Sequence, residues 1–128
     1  MVLTISLVGV SNGQPIPPKH TGFGEDKSPP LKWAGVPAGT KSFALICDDP
    51  DAPGGLWVHW LIWNIPGAVA ELAEGIAAAG ELPDGTRQGE NDFGKMGWNG
   101  PTPPPGPAHR YFFRLFALDA APALAPGA

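Results

Sequence analysis

The sequence predicts a mainly-β domain of short strands joined by long loops, and three observations point there. Its 128 residues include 18 glycines and 17 prolines. Proline is excluded from helix interiors and central strands, so regular elements are confined to short pieces and a helical bundle is argued against. Five Trp, six Phe and a hydrophobic share of 43% provide core material that glycine- and proline-rich low-complexity chains lack. Three apolar runs of strand length, at 42–47, 59–65 and 109–118, are the candidates for covered strands.

Leu3, Ile5 and Leu7 alternate with Thr4 and Ser6, the period of a first half-buried strand that ends at Gly9 before a Ser11-Asn12-Gly13 turn. Residues 14–30 carry five prolines' worth of loop at Pro15, Pro17, Pro18, Pro29 and Pro30, and Leu31-Lys32-Trp33 reads as a short strand before the turn at 35–39. Ser42 to Cys47 is apolar nearly throughout, and His59 to Ile65 is a second such run, stopped by Pro66-Gly67. Val69, Leu72 and Ile76 stand at helical spacing and predict a short helix, which Gly75 and Gly80 weaken. His109 to Leu118 is the third buried strand, preceded by an irregular stretch from Asn99 to Pro107. No repeat or linker divides the chain, so residues 1–128 read as a single domain.

The net charge of −4 and the absence of a long basic run argue against a nucleic-acid partner. One cysteine, Cys47, allows no internal disulfide and reads as a buried structural thiol; with no signal-peptide pattern at the N-terminus, the expected location is cytoplasmic. The longest apolar stretch, Leu56 to Ile65, is broken by His59 and is far shorter than the roughly 20 residues a transmembrane helix needs.

Two motifs are decoys. Gly89 to Met96 has phosphate-loop spacing, but Met96 replaces the magnesium-binding hydroxyl and Glu90 and Asp92 would repel phosphate. Asp49 to Gly54 hints at a calcium loop, yet prolines fill two of its variable positions. What remains are three polar clusters beside apolar strands: Asp49 and Asp51 about Pro50, His59 at the head of its strand, and His109 and Tyr111 on one face with Phe113 and Leu115. Polar groups on core faces need partners. The simplest pairing is carboxylate with imidazole, and Asp49 is the expected partner that orients or charges His59. The plainer reading makes Asp51 a turn cap and both histidines satisfied core residues.

These residues carry a resemblance. Asp49-Pro50-Asp51-Ala52-Pro53, Trp57-Val58-His59-Trp60 leading to Asn64-Ile65-Pro66, and Gly100-Pro101 through Gly106 to His109-Arg110-Tyr111 together resemble the phosphatidylethanolamine-binding protein family, in particular its bacterial and archaeal branch, the Raf-kinase-inhibitor-like proteins. Supporting stretches are Gly24 to Trp33, Gly35 to Thr40 and Gln88 to Gly94, so the likeness runs from about Leu3 to Asp119. It implies an all-β, two-sheet antiparallel Greek-key-like sandwich, and a small anion pocket lined by Asp49, Asp51, His59, Gly100, Pro101, His109 and Tyr111. It also implies a non-enzymatic cytoplasmic binding module for phosphate, phosphoethanolamine-like or phosphorylated groups. No cofactor is expected, and the partner class is a regulated protein kinase or protease. Two other readings stay open: a metal-assisted hydrolase using His59, His109, Asp49 and Asp51, and an interaction domain with a vestigial pocket. After Asp119 the sequence departs from the family, which continues through a helix and a last strand; the uncovered surface predicts a homo-oligomer.

Overall fold

Seven strands make up the extended structure of the described residues: β1 (Thr4–Leu7), β2 (Leu31–Ala34), β3 (Ser42–Asp49), β4 (Trp57–Pro66), β5 (Glu71–Leu72), β6 (Arg87–Gln88) and β7 (Phe112–Leu118). The structure is a computed structural model and describes residues 3–10, 13, 16–21, 24–51, 55–100 and 110–120. A three-residue 3-10 turn at Pro18–His20 is the helical element among them. The strands form two sheets, β1-β2-β5 and β6-β4-β3-β7, and every pairing is antiparallel. In the larger sheet, β3, β4 and β6 lie side by side and β7 returns to the far side of β3, the Greek-key order.

The core lies between the sheets. Leu31, Trp33 and Leu72 from the smaller sheet meet Phe43, Leu45, Cys47, Trp60, Ile62 and Ile65 from the larger, with Trp98 added from a loop. Trp33 stacks at a tilt on Phe43, 5.2 Å between centroids, and its indole N–H donates to the Val69 carbonyl at 3.1 Å, so a large ring is buried with its polar atom satisfied. Cys47 is fully buried, as expected of a structural thiol, and burial followed by the nearby Asp48 and Asp49 charges pushes its pKa up.

Two expectations are corrected. The helix through Val69, Leu72 and Ile76 is replaced by the short strand β5 and turns. All three side chains do pack on the core, but Leu72 does so by pairing with Leu31. Gly75, at φ +74, turns the chain so that its N–H reaches the Ser28 carbonyl. The third apolar run is a half-buried strand, not one covered on both faces. Since β7 ends its sheet, Phe113, Leu115 and Ala117 face the core while Phe112, Arg114 and Phe116 stay exposed. Arg110 and Arg114 lie over the Phe112 ring at 5.6 and 4.9 Å. The 11–12 turn, Ala52 to Gly54, His109 and the chain after Ala120 lie outside the described residues.

Two irregularities in the β3–β4 ladder decide which side chains reach the core. Phe43 pairs with Ile65 but Leu45 with Ile62, a bulge that holds Asn64 at φ +55 and lets Ile62 and Ile65 both face inward despite their odd spacing. Cys47 pairs with Trp60 and Asp48 with Val58, which leaves His59 without a partner on β3.

Candidate functional site

That second bulge builds the site. Without it His59 would stand in the ladder between Val58 and Trp60; as the skipped residue it pairs instead with the loop at 99, whose Asn99 N–H reaches the His59 carbonyl at 3.3 Å. A bulge re-aims a side chain in this way. The Asn99 carbonyl in turn lies 2.7 Å from His59 Nδ1. A carbonyl only accepts, so Nδ1 carries the proton and Nε2 is the bare nitrogen of the neutral ring. Phe93, Trp98 and Tyr111 surround the imidazole, with centroids 5.3, 6.4 and 5.4 Å away.

Burial is the dominant influence on His59 and lowers its pKa from the ordinary value; the Asn99 carbonyl, then Asp49, Asp26 and Asp92, act more weakly in the opposite direction. The expected carboxylate on this imidazole is therefore corrected to a backbone carbonyl, with Asp49 a secondary influence. Tyr111 meets the ring edge-on, and burial, then Asp49, Cys47 and Asp51, push its pKa up to about 12. It keeps its phenolic proton and remains a donor.

The three carboxylates around His59 each accept a backbone N–H. Asp49 Oδ1 receives the Asp51 N–H at 2.8 Å, so the turn at Pro50 is capped by Asp49 where Asp51 was expected to cap it. Asp92 Oδ2 receives the Val58 N–H at 2.6 Å, and the Asp92 N–H returns to the Val58 carbonyl at 3.0 Å. Asp26 Oδ1 receives the Gly100 N–H at 2.7 Å. Asp51, whose carboxylate takes the Arg110 backbone N–H at 2.7 Å and the guanidinium on both oxygens at 2.9 Å, fastens the segment that carries Tyr111. Asp49 and Asp51 are thus anchored to different donors.

Gly100 is fixed by close approach. A β-carbon there would strike the His20 carbonyl and come within 2.5 Å of Asp26 Oδ1, so only glycine lets this turn settle beside His59. Asp49, Gly100 and Tyr111 thus lie around His59, Asp51 is held on Arg110, and Pro101 and His109 lie outside the described residues. No three His, Cys, Asp or Glu side chains are grouped for a metal ion among the described residues.

Asn99, Phe93, Trp98 and Asp92 went unread in the sequence as site residues, and so did two that hold the loops in place. Asp26, at φ +55, holds Gly100. Asn91 ties the 91–99 loop together: its amide donates to the Gly97 carbonyl and Asn99 Oδ1, both at 2.8 Å, and its oxygen accepts from Phe93 and Lys95. Beneath it, buried Gln88 accepts from the Trp60 indole at 2.8 Å and donates to Ala77 and Ala79. The Gln88-Gly89-Glu90-Asn91-Asp92 run was the available signal, and it marks loop construction.

Comparison with known proteins bears on the assembly as a whole. The family profile described as phosphatidylethanolamine-binding protein matches residues 8–128. The UPF0098 protein of Methanothermobacter thermautotrophicus is 58% identical over 113 residues, covering 88% of this chain and 74% of that protein. The Aquifex aeolicus UPF0098 protein is 50% identical, covering 84% of this chain and 63% of its own length. A Mycobacterium tuberculosis relative named as a candidate lipoprotein, LppC, is 42% identical over 98% of this chain and 60% of its own. The crystal structure of Escherichia coli YbcL, described as a member of the mammalian PEBP family, superimposes with a TM-score of 0.87 at 38% identity, over 98% of this chain and 82% of that one.

Proposed function

The chain belongs to the phosphatidylethanolamine-binding protein family, and we propose that it is a non-enzymatic binding module whose pocket, centred on His59, takes a small anion: phosphate, a phosphoethanolamine-like group or another phosphorylated group. The observation that carries this reading is the bulged His59, buried, held through Nδ1 by the Asn99 carbonyl at 2.7 Å, with Nε2 lacking a hydrogen-bond partner among the described residues. The fold gives up a ladder position and, among the described residues, leaves Nε2 of a polar ring without a partner, which suits a site for a ligand. We assign Asp49, Asp51, Gly100 and Tyr111 to the wall of this pocket, and Pro101 and His109 to the same pocket by family membership. Regulation of a protein kinase or protease through the occupied pocket, and cytoplasmic residence, belong to the same reading. Among the described residues no helix is long and apolar enough to cross a membrane.

Titration calorimetry with inorganic phosphate and with O-phosphoethanolamine tests it. Saturable binding is expected, weakened about tenfold or more in His59→Gln. Absence of heat with either compound, in a protein shown to be folded, would leave the interaction domain with a vestigial pocket as the better reading.

A further inference from the structure

We infer that His59 meets its ligand as a hydrogen-bond acceptor, so that the pocket selects a phosphate group bringing its own proton, inorganic phosphate or a phosphomonoester as the monoanion, over oxyanions with no proton to give. This rests on the anion-site reading above and adds to it the protonation state of the ligand.

The geometry fixes the direction of the hydrogen bond. The Asn99 carbonyl at 2.7 Å requires the proton on Nδ1, which leaves Nε2 of the neutral ring with a lone pair and no hydrogen. An oxyanion without a proton would set two lone pairs against each other there. A P–OH group donates to Nε2 and satisfies both.

The charged surroundings act in the same sense. Among the described residues, the titratable groups facing His59 are Asp49 from the end of β3, Asp26 from the loop before β2 and Asp92 from the loop after β6, with Tyr111 from the segment entering β7. Three carboxylates disfavour a dianion more than a monoanion. Burial outweighs their pull on the imidazole and lowers its pKa, so near neutral pH the proton is more readily supplied by the ligand than by the ring. Tyr111 keeps its phenolic proton.

Methyl phosphate and methyl sulfate make the test, because below the phosphate's second ionisation near pH ~6 both are monoanions of the same shape, differing by one proton. Calorimetry at pH about 5.5 is expected to show methyl phosphate bound about tenfold to a hundredfold more tightly, the cost of an unsatisfied buried acceptor. Its apparent affinity should then fall about tenfold per pH unit well above pH ~6, as the monoanion is depleted. Inorganic phosphate, which keeps one P–OH even as the dianion, should lose affinity less steeply, and dimethyl phosphate, a monoanion with no proton, should bind as poorly as methyl sulfate. His59→Gln, whose amide both donates and accepts, should bind the two methyl esters alike. Ring ¹⁵N shifts of the unaltered protein with methyl phosphate should report protonated Nδ1 and bare Nε2.

Equal binding of methyl phosphate and methyl sulfate, with methyl sulfate tightening as pH falls and both ring nitrogens protonated, would make His59 an imidazolium donor. That overturns this inference and leaves the anion site standing. If none of these anions binds, inorganic phosphate included, both readings fall.

Discussion

His59 is where the local physics is sharpest. Its ring is buried and its tautomer is set by a backbone carbonyl. Its folded pKa lies below the ordinary value, so the unfolded chain takes up a proton at a higher pH than the folded one. Stability from this residue is therefore fully present above the unfolded pKa of about 6.5 and is lost as pH falls toward the folded value. Denaturant unfolding of wild type and His59→Gln across this range should show a stability difference that shifts against wild type as pH drops below about 6.5. A difference constant across that interval would contradict the buried neutral ring. The residue itself was legible, a histidine heading an apolar strand. Its tautomer was not, because that depends on a loop forty residues on in the chain coming back to pair with a bulge.

The elements that position the site are loops pinned by side-chain acceptors. Asp26 sits in the left-handed region at φ +55 and takes the Gly100 N–H at 2.7 Å, tying the loop before β2 to the turn beside His59. Asparagine tolerates that backbone and retains an acceptor oxygen, whereas alanine does neither. Asp26→Ala is expected to lose about 1–3 kcal/mol of stability and to weaken phosphate binding, with Asp26→Asn close to wild type in stability. Indistinguishable unfolding midpoints for the two variants would remove Asp26 from this role. Strands were the more readable elements, since period-two patterns and continuous apolar runs mark β1, β3 and β4 directly. The run at Val69 to Ile76 was misread because all three apolar residues do reach the core, which a helix or a turned, extended chain can both achieve; Gly75 at φ +74 decides for the latter. The run into β7 was misread because sheet order, not composition, leaves Phe112, Arg114 and Phe116 outward.

At the scale of the molecule, two sheets enclose one core and the site lies at the end of the larger sheet where β3 leaves, β4 enters and the 91–99 loop closes over them. The sandwich was legible through family likeness; residue patterns alone reached only short strands and long loops. Outside the core, β7 presents Phe112 at 38% and Phe116 at 45% exposure on the outward face of a terminal strand. Exposed aromatic surface on a strand that ends its sheet among the described residues favours association. Sedimentation velocity should reveal concentration-dependent self-association that Phe116→Lys reduces. A monomer at every concentration tested would contradict it.

We propose that this family fold holds a working anion site around His59, and inorganic phosphate titrated into isotope-labelled protein tests it residue by residue. The expected result is saturable change in the ring signals of His59 and Tyr111 and in the Gly100 amide, with a common dissociation constant and little change on the outward face of β7. Phosphate that leaves those three residues unmoved while shifting scattered surface amides without saturation would mean that no anion site exists around His59.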